Sequence, residues 1–100
     1  MPKIRPYNEA LRREQEIKDQ RSRVIRIICA ATEANDYDRA ELCEHAHIDY
    51  QTFNRRMRGE SDFRLAELCG IANALKMDTM TRAALCGAKE KCRYETGYRI

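Results

Sequence analysis

Residues 38–59 read DRAELCEHAHIDYQTFNRRMRG. Asp38 followed three residues later by Glu41 resembles a capping box, with Asp in place of Ser or Thr, and predicts a helix start. The helix that follows runs to about His45, with Leu42, Cys43 and Ala46 apolar. Ile48 is an apolar plug in the connection, and Asp49 is the natural N-cap of a second helix, Tyr50 to Arg58. Phe53 and Met57 fall on one face at i,i+4, and Gly59 stops the helix. Two short helices crossing over so short a turn need a small residue where they touch, and Cys43 supplies it.

The second helix has two sides. Phe53 and Met57 point inward, leaving Tyr50, Gln51, Asn54, Arg55 and Arg58 free, all hydrogen-bonding types. No acid lies between Tyr50 and Gly59. A merely solvated face more often mixes Lys with Glu, whereas a face that meets phosphate excludes carboxylates.

Outward from this stretch, the chain reads as helical. It has 100 residues, no Trp, four Gly and two Pro, and both prolines fall in the first six positions. Nothing after Pro6 carries the strongest helix breaker. Pro2 and Pro6 predict an irregular arm over 1–7, with Asn8 capping a polar helical extension to about residue 21. Glu9/Arg13 and Glu14/Lys18 are favourable i,i+4 pairs, with Leu11 and Ile17 the apolar anchors. Val24, Ile25, Ile28, Cys29, Ala31 and Thr32 predict a first core helix over 22–34, stopped by Asn35 and Asp36. Leu65 to Met77 is amphipathic, with Leu65, Leu68, Cys69, Ile71, Ala72 and Leu75 as its apolar face. Asp78 caps a last helix, Thr79 to Cys86, ended by Gly87. From Cys92 to Ile100 the pattern alternates with period two and suggests a strand that needs a symmetry mate or another partner, the alternative being a disordered tail. The expected organisation is an extension over 1–21, a domain over 22–87 and a tail over 88–100.

The net charge of +3 is modest, but its distribution is uneven. Residues 1–34 hold eight Lys/Arg against five acids, and four of the five Arg of residues 35–64 lie between 55 and 64. Five cysteines without a CxxC pair, an odd count and no signal peptide predict a reduced, cytoplasmic chain. Cys29, Cys43 and Cys69 are expected in the core. Cys43-x-His45-x-His47 has a ligand-like look, but a spacing of two on a helix sends neighbours to different faces, and no fourth ligand is evident. The reading calls for no metal, no cofactor and no catalysis; Cys43 as nucleophile with His45 or His47 as base fails because the motif's inward face is needed for packing. No apolar run approaches the ~18 residues of a membrane span.

Residues 38–87 resemble the lambda-repressor-like (Cro and XRE type) helix-turn-helix family. The resemblance rests on Leu42-Cys43, Ile48, Thr52-Phe53-Asn54-Arg55, Gly59, Leu65, Leu68, Ile71-Ala72 and Ala74-Leu75, in that order. The chain departs from the pattern at Cys43, where Ala is usual, at His47, where Gly is usual, and at Arg64, where a Ser/Thr cap is usual. The resemblance implies an all-α, five-helix bundle and a phage-type, sequence-specific regulator, a repressor on a palindromic operator. It implies base contacts by Gln51, Arg55, Tyr50 and Asn54, and phosphate contacts by Arg39, Thr52, Arg56 and Arg58. The partners it implies are double-stranded DNA and a second copy of the chain. The competing expectation is an inhibitor or adaptor that uses the same scaffold to bind a protein, such as a host defence nuclease.

Overall fold

The computed structural model describes residues 5–96, with side chains from Glu9 onward. The chain is all-helical: α1 Arg5–Ala34, α2 Arg39–Ala46, α3 Tyr50–Met57, α4 Leu65–Ala74 and α5 Thr79–Leu85. The all-α, five-helix expectation is met. No helix is long and apolar enough to cross a membrane among the described residues.

The expected break between an extension and a first core helix is absent, because α1 runs unbroken through both. Neither Gly nor Pro occurs between residues 7 and 58, so nothing in the chain interrupts it. Pro6 lies in the first turn, where its missing N–H costs no hydrogen bond, so the helix begins at Arg5 and Asn8 lies inside it. Residues 9–19 are exposed all round and project beyond the core, with Gln15 donating to Asp19 at 2.9 Å. From Gln20 onward the helix is the floor of the fold.

The buried stripe of α1 is Val24, Ile27, Ile28 and Ala31. It is rotated from the expected one: Cys29 is exposed, and Ile25 and Thr32 are half-buried. Leu42, Cys43 and Ala46 of α2, Phe53 of α3, and Ile71, Ala72 and Leu75 of α4 complete the core with Met77, Ala84 and Leu85. Leu65 and Cys69, expected on the apolar face of α4, are exposed. Both line a shallow surface groove with Arg82, Leu85 and Cys86, whereas α4 packs most extensively against α2. The two helices touch at Gly70, where an added Cβ would lie 2.7 Å from the Ala46 carbonyl oxygen.

Each described helix is followed by a residue in the left-handed region: Asp36, His47, Gly59, Lys76 and Gly87. This turns the chain sharply and satisfies carbonyls that the helix leaves open. At the end of α1, Tyr37 N–H donates to the Thr32 carbonyl at 3.1 Å, and the Asn35 side chain donates to Ala31 at 2.8 Å. The end of α4 is closed by Arg82, which donates to the Met77 carbonyl at 2.8 Å and to Asn73 at 3.1 Å.

The tail departs from its expectation. Residues 93–96 form a turn, with Glu95 N–H donating to the Cys92 carbonyl at 2.9 Å, and no strand occurs among the described residues. Cys92 is 1% exposed and closes the core beside α1. Residues 97–100, the remainder of the expected strand, lie outside the described residues.

Candidate nucleic-acid interface

The α2–α3 pair is set by its caps. Glu41 N–H donates to the Asp38 carboxylate at 2.8 Å, and Asp38 N–H donates back to Glu41 at 3.2 Å, completing the expected capping box. Helix α2 ends at His47, with φ 60° and ψ 46°, and Ile48 N–H donates to the Cys43 carbonyl at 3.0 Å. Asp49 then accepts from Thr52 N–H at 3.1 Å and opens α3. Three residues, 47–49, make the whole connection. Ile48 packs on the core, and Phe53, 1% exposed, anchors α3 edge-on to Phe63 with ring centroids 5.9 Å apart.

This anchoring turns the opposite side of α3 to solvent. Gln51, Arg55 and Arg58 are exposed, Tyr50 is half-exposed, and Asn54 is half-buried beside them. Arg39, at the start of α2, reaches across to α3. Its guanidinium lies 5.8 Å from the Phe53 ring centroid and donates to Asn54 Oδ1 at 2.7 Å. Thr52 is half-buried, and its hydroxyl lies 3.4 Å from the Asp49 carboxylate. Arg58 donates to Glu60 at 2.8 Å, and the pair holds the Glu60 carboxyl below its usual range. Both side chains are more than half exposed, so the pair contributes little stability and is free to exchange for another anion.

Arg56 does not join this face. It donates twice to the Glu67 carboxylate, at 2.9 and 3.1 Å, and once to Ser61 Oγ at 2.6 Å. The two charged side chains are 14% and 16% exposed, and Glu67 also accepts from Arg64 N–H at 2.9 Å. Hydrogen bonding to Arg56 holds the Glu67 carboxyl below its usual range, and Arg56 is raised in turn. Arg56 therefore ties α3 to the start of α4. The spacing carries this signal: Arg56 is three residues after Phe53 and shares its inward side.

Arg64 gives α4 no side-chain cap, and the Glu67 carboxylate supplies only the reciprocal half of a capping box by accepting from the Arg64 N–H. The three candidate groups of α2 and its turn have different surroundings. Cys43 is buried, and desolvation pushes its thiol up. His45 lies against Tyr37 with ring centroids 5.5 Å apart, and His47 occupies the turn.

Two arrangements give no signal in the sequence pattern. One is the Arg39–Asn54 bond, which joins residues 15 apart. The other is a clamp on the tail. Arg23 donates to both Glu95 carboxylate oxygens, at 2.5 and 2.9 Å, and to the carbonyls of Ala88 and Glu90 at 2.5 and 2.8 Å. The chain matches no family model, no curated protein and no solved structure in comparisons with known proteins.

Proposed function

We propose that the chain is a sequence-specific DNA-binding regulator that inserts α3 into the major groove. The observation that carries this reading is the outward side of α3. Gln51, Asn54, Arg55 and Arg58 form one continuous face with no acid of the same helix, on a helix fixed by a three-residue turn and a buried Phe53. The resemblance of residues 38–87 to the lambda-repressor-like family supports it as well. In this reading Gln51 and Arg55 contact base edges, as bidentate partners of adenine and guanine. Tyr50 and Asn54 lie alongside them, and Arg58, Thr52 and the remaining donors of Arg39 meet the phosphates. Arg56 serves packing instead. A single module of this size covers few base pairs, so the reading includes a homodimer on a palindrome with half-sites ~34 Å apart, acting as a repressor in the cytoplasm.

The deciding experiment is selection of bound sequences from a random duplex pool, followed by titration of the enriched duplex at several salt concentrations. Enrichment of one palindrome, with affinity falling steeply as salt rises, supports the reading. Absence of any enriched sequence together with salt-independent behaviour removes it.

A second reading is an adaptor or inhibitor directed at another protein. It is favoured by the first half of α1, which projects past the core with Leu11 and Ile17 about half exposed. Beside it, Ile17, Val24, Phe63, Leu68 and Leu85 line an apolar groove of about 410 Å³. Deleting residues 5–16 separates the readings, because it spares α3 and removes the projection.

A further inference from the structure

We propose that Asn54 reads the acceptor edge of guanine in preference to adenine, because Arg39 draws its amide oxygen to itself and turns the amide nitrogen the other way. This rests on α3 being the DNA-reading helix. A free asparagine favours adenine, donating to N7 through its amide nitrogen and accepting from N6 through its oxygen. Here the oxygen accepts from Arg39 at 2.7 Å. The assignment of the amide follows from chemistry, since a guanidinium has donors and no acceptor, so only the oxygen of Asn54 can face it. The amide nitrogen is thereby turned the other way, with both of its hydrogens free to donate. Guanine presents only acceptors, N7 and O6, on that edge, whereas adenine presents an acceptor and a donor.

Arg39 is held in this position from a second side. Its guanidinium lies over the ring of Phe53, which is 1% exposed and part of the core. The planar cation sits between a fixed aromatic ring and the amide, an arrangement that a flexible lysine does not reproduce. Arg39 is thus a positioning residue, and Asn54 is the reader.

The test uses the full chain and a random duplex pool, with far-ultraviolet circular dichroism confirming that each variant is folded. The wild-type chain is expected to enrich guanine at one position, by about tenfold over adenine, the discrimination of a single base contact. Arg39→Met frees the amide, and the guanine preference there should fall toward parity with adenine while neighbouring positions keep theirs. Asn54→Asp keeps the shape and the bond to Arg39 but turns an acceptor outward, so the preference should move to the donor-bearing bases, cytosine or adenine. Without DNA, the Asn54 side-chain amide resonance should shift and sharpen in Arg39→Met. An enriched site whose base preferences are the same in all three proteins overturns the proposal and leaves the DNA-binding reading standing. A wild-type chain that enriches no sequence overturns both.

Discussion

Arg23 and Glu95, 72 residues apart, form a two-pronged ion pair that fastens the C-terminal tail to the middle of α1. The same guanidinium takes two tail carbonyls, and Glu95 also accepts from Cys92 N–H at 3.1 Å. The side chains are 14% and 15% exposed, so the pair is largely removed from water. Cys92 is buried beside it and joins the core.

Hydrogen bonding to Arg23 lowers the Glu95 carboxyl from 4.5 to about 2. A carboxyl depressed by folding stabilises the fold above its unfolded value, and that stabilisation is lost as pH falls from about 4.5 through about 2. Glu95→Gln should lower the unfolding free energy by about 2 kcal/mol at pH 7. The gap between wild type and variant should shrink between pH 4.5 and 2.5 in urea titrations. In Glu95→Gln the Cys92 thiol should become reactive to a thiol reagent in native buffer, alongside the exposed Cys29, Cys69 and Cys86, while Cys43 stays protected. An unchanged gap across that pH window would remove the clamp as the cause.

At Gly70, helix propensity and packing predict opposite signs. Within an exposed helix, Gly→Ala stabilises by ~1 kcal/mol. The added Cβ here would lie 2.7 Å from the Ala46 carbonyl oxygen, a backbone atom that cannot move without shifting α2. Gly70→Ala should destabilise by about 1–3 kcal/mol, read as a lowered melting temperature. Because α2 sets the turn into α3, the shift should also reach Asn54 and Arg55 as changed amide resonances.

His47 sits at φ 60°, where a side chain is strained. Its imidazole is exposed at the surface, so little packing is lost with it. His47→Gly should stabilise by about 0.5–1 kcal/mol, and His47→Val should destabilise by more than that, since branching at Cβ is least tolerated there. Thermal unfolding of the two variants checks the sign, and a Gly variant no more stable than wild type would place the strain elsewhere.

The three arginines that end α3 should behave differently from one another. Arg55→Ala should cost ~1–3 kcal/mol of binding to a selected duplex and relax the preference at one base pair. Arg58→Ala should weaken binding to all sequences alike and reduce the salt slope by about one. Arg56→Ala should leave Glu67 half-buried without its partner and lower stability by about 2 kcal/mol, with the folded fraction still binding DNA. Matching losses on selected and random duplexes for Arg55→Ala would end its role as a reader.

What was legible in the amino acids was whatever short-range chemistry decides. Asp38 with Glu41, Asp49 and Gly59 mark helix ends through bonds spanning a few residues, and α2 and α3 fall where those marks place them. Gln51 and Arg55 are outward because Phe53 and Met57 are inward, a consequence of helical period alone. Tertiary structure decided which part of each apolar face meets a neighbour. Cys29, Cys69 and Leu65, apolar by pattern, are exposed in the fold. Alternation from Cys92 suggested a strand, but Arg23 gathers that backbone into a turn by bonds across 65 to 72 residues. Arg39 likewise took its orientation from Asn54, 15 residues away, and Arg56, turned inward by its spacing to Phe53, found its partner Glu67 11 residues away. Periodicity along one helix cannot encode such pairings, because whether a guanidinium faces solvent, an aromatic ring or a carboxylate depends on which other helix lies opposite it.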